Sequence, residues 1–408
     1  MKRVVVTGMA GISPIGQGWQ QVRESLQQRR SGVVYMDDWN KYEGLETRLG
    51  APVVDFEKPA HYTRKRVRSM GRVSLMAVRA TELALEEAGL LDAPILKSGA
   101  TGVAYGSSAG TPAAIGDFGN MLINHRTDGL NATSYIKMMS HTTAVNIGVF
   151  FGLCGRVYTT SSACTSGSQG IGYAYEAIRN GSQTVMVAGG AEELCATEAA
   201  VFDTLFATST KNETPSVTPR PFDRERDGLV IGEGACTLVL EEYEHAVARG
   251  ARIYAEIVGF GTNSDGSHVT QPQSPTMQVA LQQAIAQAGI DAQAIGYVSA
   301  HGTATDRGDV AESHATLNAF GRAVPISSMK SYTGHTLGAC GALESWASIQ
   351  MMRECWFHPT INLENIDPDC AELDYIQGDG RAIDTEYVMS NNFAFGGINT
   401  SLIFKRRV

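Results

Sequence analysis

The 408 residues carry 43% apolar and 18% charged side chains, enough for a large buried core and unlike the low-hydrophobicity, high-charge pattern of a disordered chain. Thirty-three basic residues against 42 acidic ones leave a net charge of −9, which argues against a general nucleic-acid binder. The seven cysteines (154, 164, 195, 236, 340, 355 and 370) show no C-x-x-C or zinc spacing, and no apolar run approaches the ~18 residues of a membrane span.

With an N-terminal apolar run too short for a signal peptide, these features predict a soluble, cytoplasmic chain with reduced thiols. In chain order, β-rich runs at 3–7, 102–105, 157–160, 184–188, 236–241, 253–258, 297–300 and 387–390 alternate with helical runs. The helical runs fall at 71–88, 142–151, 165–180, 275–288, 309–320 and 338–354. Several of the strands are apolar on both faces, as strands lying between helix layers must be, so the alternation predicts a layered α/β fold. An internal echo suggests duplication. The run VYTTSSACTSG at 157–167 and the run VPISSMKSYTG at 324–334 both read as a strand, a Ser-Ser pair, a chemically loaded residue and a Thr/Ser-Gly step. The expected organisation is two related halves, 1–250 with the cysteine nucleophile and 251–408 with the histidines, a lysine and a glycine-rich loop.

Cys164 follows a strand and opens a helical run, where the macrodipole and free backbone N–H groups favour a thiolate; the expectation is a lowered pKa and a nucleophile near neutral pH. His301, in AHGTAT at 300–305, and His335, in KSYTGH at 330–335, both sit in glycine-flanked settings at element ends. Lys330 stands in an otherwise uncharged stretch, with Glu344 down the next helix as a partner. A Cys–His pair alone suits a protease or transglutaminase-like site. Two neutral imidazoles offering N–H groups to one oxygen are better suited to a developing enolate or oxyanion, as in carbon–carbon bond formation on thioesters.

Four motifs in this order, SSACTSG at 161–167, AHGTAT at 300–305, KSYTGH at 330–335 and NFAFGGIN at 392–399, resemble the β-ketoacyl-acyl-carrier-protein synthases of the thiolase superfamily, most closely the type II branch. The run PRPFDRERDG at 219–228, with GEGA at 232–235, also looks like that family. The resemblance implies a five-layered αβαβα fold, a homodimer or a heterodimer with a paralogue, and no cofactor. It assigns Cys164 as acyl acceptor, His301 and His335 as enolate donors, and Lys330 with Glu344 as their support. The N–H groups of Cys164 and Phe395 would form an oxyanion hole, Phe395 would gate the site on the loop with Gly396 and Gly397, and Thr303 and Thr305 would bind pantetheine. Some members hold a monovalent cation at positions matching Ser299, Glu344, Ser390 and Asn391, but Ser299 replaces the usual Asn, so no metal is expected.

Departures from the family pattern carry specificity expectations. Ala394 and Ile398 replace a usual Gly and Thr in the gate loop, which costs flexibility. Ala109 stands where a bulkier aliphatic residue usually floors the acyl pocket, so long or rigid chains are expected, as in aryl-polyene ketosynthases. Substrates would be acyl and malonyl groups on acyl-carrier protein. Lys65 and Arg68, in a run at 62–72 with five basic and no acidic residues, would dock that acidic carrier. The rival readings are a degradative thiolase, against which the absence of a second cysteine motif near 392–397 speaks, and a chain-length-factor partner lacking the nucleophile. The tripeptide at 307–309 reads as a surface turn. The catalytic reading expects a single fast-alkylating thiol, Cys164.

Overall fold

The computed structural model describes residues 1–407. Ten of the twelve strands of its main sheet frame the site: β1 (Val4–Ser13), β2 (Thr101–Gly106), β3 (Val157–Thr159), β4 (Val185–Glu192), β5 (Gly234–Glu242), β6 (Ala255–Ser264), β7 (Ile295–Ser299), β8 (Pro325–Ser327), β9 (Tyr387–Ala394) and β10 (Ile398–Arg406). Six helices flank them: α1 (Arg72–Glu87), α2 (Thr142–Phe151), α3 (Ser166–Arg179), α4 (Ser274–Ala288), α5 (Asp306–Phe320) and α6 (Cys340–Glu354).

The strand order β3-β2-β4-β5-β1 is repeated as β8-β7-β9-β10-β6, and the two sets meet where β1 pairs antiparallel with β6. Pairing senses repeat as well. The first two junctions of each set are parallel and the next two antiparallel. The echo at 157–167 and 324–334 is therefore a structural equivalence: β3 leads into α3 as β8 leads into α6. Helices α3 and α6 pack on each other between the two half-sheets, while α1 with α2 and α4 with α5 cover the outer faces. This is the expected αβαβα layering.

Burial follows the layers. All ten residues of β1 are buried, because both faces of the strand are covered. Helix α6 is buried from Cys340 to Met352, as a central-layer helix must be, so it has no polar face. Its contact with α3 is tight enough that a Cβ on Gly167 would lie 2.9 Å from Ala342 N. That approach brings the N-terminal ends of the two helices, and the residues just before them, together.

Several elements run beyond the sequence expectation. Strand β1 continues through Gly8 and Gly11 to Ser13, where the helix above sits so close that a Cβ on Gly8 would meet Ala84 O at 2.2 Å. Glycine there serves close approach, and a β-propensity reading stops at it. Strand β10 and the helices Trp19–Gln27, Pro112–Asn124 and Ala196–Asp203 were not anticipated. The tripeptide at 307–309 is not a surface turn: it lies in the first turn of α5, and Asp309 is fully buried. None of the described helices is long and apolar enough to cross a membrane.

Candidate active site

Cys164 sits in a single 3-10 turn, Ala163–Thr165, between β3 and α3. Ala163 before it holds φ at +50°, a left-handed conformation that few side-chain-bearing residues adopt. His301 follows β7 by two residues, and His335 lies in the turn that precedes α6. The Cys164 sulfur and a ring nitrogen from each histidine lie within 4.8 Å of one another. All three side chains are buried and line one cavity of about 590 Å³.

The hydrogen bonds define the proton positions. Leu337 N–H donates to His335 Nδ1 at 3.2 Å, which leaves the proton on Nε2, 3.0 Å from Cys164 Sγ. The Lys330 ammonium donates to His301 Nδ1 at 3.2 Å, so His301 also carries its proton on Nε2. Lys330 in turn forms a buried ion pair with Glu344, whose second oxygen accepts Asn392 Nδ2–H at 2.6 Å. Burial and then the Lys330 charge push both imidazoles well below the usual histidine range, and for His301 the neighbouring His335 adds to this. The site thus presents two neutral imidazoles as N–H donors.

The thiol departs from expectation. Its pKa is pushed up to about 11, because complete burial outweighs the Lys330 charge and the N–H groups of Phe395 and Cys164 itself. A helix terminus lowers a thiol pKa only where burial does not already cost more, and here the sulfur is buried. Exposure does not single it out: Cys154 is exposed while Cys164 is buried.

The other anticipated residues are dispersed around this centre. Phe395 lies in the turn between β9 and β10, half-buried and 5.0 Å from the Phe202 ring, and lines the cavity with Ala394. Gly396 and Gly397 hold φ at +88° and +72°, and a Cβ on Gly397 would lie 2.7 Å from Asp265 Cβ. Thr303 and Thr305 line the same cavity, their hydroxyls 2.9 Å apart. Ala109 is not on that cavity wall; it is half-buried in the loop after β2, its N–H directed at Glu192. Lys65 and Arg68 are exposed on and after the short helix Arg64–Val67. Their neighbours Arg66 and Arg72 are already engaged, by Phe150 and by Glu233.

Sequence reasoning missed the carboxylates behind the site. Glu312 accepts the N–H groups of His301 and Gly302 at 2.7 and 2.6 Å. Asp309 accepts those of Phe222, Thr303 and Ala304, two of which, Phe222 and Ala304, hold positive φ. Arg226 bonds the carbonyls of Thr305 and Asp306 from the other side. The run at 219–228 is thereby a brace beneath the 303–309 segment. Cys340 is a second buried thiol, donating to Cys164 O at 3.3 Å.

A layered duplicate of this topology, with a thiol and two imidazole donors at its centre, defines a thiolase-like condensing enzyme. The β-ketoacyl synthase N-terminal domain model matches residues 1–246 and the C-terminal domain model residues 254–364. The chain belongs to the β-ketoacyl synthase family. It is 38% identical to 3-oxoacyl-[acyl-carrier-protein] synthase 2 of Vibrio cholerae, with 99% of each chain covered. Among solved structures it superposes on a β-ketoacyl synthase from Burkholderia phymatum with a TM-score of 0.99, at 60% identity and full coverage of both chains. It also matches, with a TM-score of 0.88, 30% identity and full coverage of both, a type II polyketide ketosynthase solved in complex with its acyl-carrier protein.

Proposed function

We propose that the chain condenses malonyl and acyl groups carried on acyl-carrier protein, with Cys164 as acyl acceptor and His301 and His335 as enolate donors. The thiolate of Cys164 attacks the acyl thioester, and the carrier thiol leaves with the proton. The oxyanion is met by the N–H groups of Cys164 and Phe395. Decarboxylation of the malonyl thioester then breaks the bond to the carboxyl carbon, and its electron pair moves into an enolate whose oxygen accepts two imidazole N–H bonds. The enolate carbon attacks the Cys164 thioester, expelling the cysteine thiolate and yielding the 3-oxoacyl product. The observation that carries this reading is the Nε2–H tautomer of both rings, fixed by Leu337 and Lys330 beside one sulfur.

Lys330 and Glu344 keep His301 in register, Phe395 with Gly396 and Gly397 gates the cavity, and Thr303 and Thr305 take the pantetheine arm. Long or rigid acyl chains, including polyene and aryl-capped ones, are the substrates proposed, although Ala109 lies off the cavity wall and so makes no room in it. Ser390 Oγ and Asn391 Oδ1 are buried without hydrogen-bond partners among the described residues, the kind of oxygens a monovalent cation takes; such an ion would supply structural charge and no reacting group. The exposed edge strand β3, with Val157 half exposed, and the exposed apolar Leu122, Ile123 and Val149 support a dimer; a cytoplasmic setting is part of the same proposal. A chain-length factor is not favoured, since cysteine, histidines and lysine are assembled. The test is product formation from a panel of acyl-carrier substrates. Polyenoyl or aryl-capped chains should be elongated at least as fast as saturated ones, and a strict preference for saturated C14–C16 chains would rule out the chain-type assignment.

A further inference from the structure

Glu192 ends β4 with no exposed surface and takes no part in the chemistry above. Its Oε2 accepts Ser108 N–H at 2.8 Å and Gly338 N–H at 2.9 Å, joining the loop after β2 to the turn behind His335. Gly338 follows Leu337, whose φ of +43° lies in the left-handed region. Leu337 N–H is the group that holds His335 Nδ1. Two consecutive amides of a strained turn are therefore anchored, one to the imidazole and the next to Glu192. The contact is close on every side: a Cβ on Gly338 would lie 2.8 Å from Glu192 Oε2 and 2.9 Å from Ser107 Cα. From the other end of the bridge, Ser107 O accepts Ser161 Oγ–H at 3.1 Å, three residues before Cys164.

The same device occurs twice elsewhere in the site. Glu312 grips the amides of His301 and Gly302, and Asp309 those around Ala304. A backbone held in a sparsely populated conformation persists only where its surroundings over-determine it, and a buried carboxyl accepting two N–H groups does that.

We propose that Glu192 is a positioning residue for condensation: its carboxyl locks the Leu337–Gly338 turn, and that turn keeps His335 Nε2–H aimed at the reacting oxygen. This rests on the enolate-donor role given to His335. Burial raises the Glu192 carboxyl to about 7, and Oε2 can accept both bonds whether or not the other oxygen is protonated, so glutamine is a fair mimic of the positioning function.

The test uses the full chain carrying Cys164→Gln, which isolates malonyl decarboxylation, with Glu192→Ala, Glu192→Asp and Glu192→Gln added. The alanine and aspartate variants should lose about tenfold or more in kcat for CO2 release with KM held within about twofold, and glutamine should restore most of it. ¹⁵N spectra of the histidine rings should show the His335 Nε2–H tautomer kept with glutamine and lost with alanine. Aspartate, whose carboxylate falls one methylene short of both amides, carries the test if the alanine variant does not fold. Unchanged kcat in the aspartate variant, a loss confined to KM, or glutamine as damaging as alanine overturns the proposal. A Cys164→Gln parent that releases no CO2 overturns the role of His335 and this inference with it. An active parent indifferent to Glu192 overturns this inference alone.

Discussion

His335 Nε2 stands 3.0 Å from Cys164 Sγ with its proton directed at the sulfur, because its other ring nitrogen accepts Leu337 N–H. The ring in this tautomer is a donor and not a base. In a Cys164→Gln background, His335→Ala should lower malonyl decarboxylation about 10²–10³-fold, the usual cost of one lost oxyanion donor. His335→Asn, which restores an N–H donor, should recover part of it. Equal loss in both variants would count against the donor role.

The thiol pKa of about 11 sets a pH dependence of opposite sense to a preactivated cysteine. Only the thiolate reacts, so alkylation of Cys164 by iodoacetamide should climb about tenfold per pH unit from 7 towards 10 without levelling off. Peptide-level mass spectrometry is required, since exposed Cys154 will be labelled too. Replacing Lys330 by Met removes a cation that lowers the thiol pKa, and should slow the reaction at every pH in that range. A plateau near pH 7 would show that burial does not raise this thiol.

Lys330 and Glu344 are both almost wholly buried, and each is the other's principal compensation. Removing Lys330 alone strands a carboxylate in the interior, so Lys330→Ala should cost about 3–5 kcal/mol of stability. Lys330→Met combined with Glu344→Gln removes both charges of the pair and should regain much of that stability, while condensation stays lost because His301 Nδ1 keeps only the longer contact from Asn392 Nδ2, at 3.4 Å. Urea unfolding beside an activity assay checks both halves. Activity in the double variant would mean that the pair serves stability only.

What could be read from the chain before folding follows a physical line. Cys164, His301, His335 and Lys330 were legible because side-chain identity and small, glycine-rich neighbours survive in the sequence. The duplication was legible at 157–167 and 324–334 because both strands lead into helices of the same central layer. Glu192, Glu312 and Asp309 were not, since their partners are backbone amides, which any residue supplies and no residue type signals. For Asp309 the misreading as a surface turn came from its Arg-Gly neighbours. The Cys164 pKa was misjudged because a dipole is local to its helix, whereas burial depends on the layers assembled around it.

His358 offers a titration outside the catalytic centre. It is buried, its Nε2 has no partner among the described residues, and burial lowers its pKa to about 4. The unfolded chain binds a proton at this ring near pH 6.5 and the folded chain only near 4, so its contribution to stability is full above 6.5 and is lost as pH falls. Relative to His358→Phe, the native protein should lose about 1.4 kcal/mol per pH unit across that window, roughly 3 kcal/mol in all. Paired urea titrations at several pH values give the difference directly. A difference that does not change with pH would mean that the ring is already charged in the fold.

Lys65 and Arg68 remain exposed while Arg66 stacks on Phe150 and Arg72 pairs with Glu233, which separates two free cations from two structural ones. An acidic carrier would meet the free pair. Charge reversal, Lys65→Glu with Arg68→Glu, should raise KM for carrier-bound substrates about tenfold at low ionic strength and leave kcat unchanged. The gap from the unmodified protein should narrow as salt is added, because exposed charges beyond a Debye length of about 8 Å are screened at physiological ionic strength. A substrate on a short pantetheine thiol, with no protein attached, should be turned over equally by both proteins. If its KM rises as much as that of the carrier-bound form, the two residues act on the cavity and not on the carrier. If neither KM moves, the run at 62–72 is solvated surface.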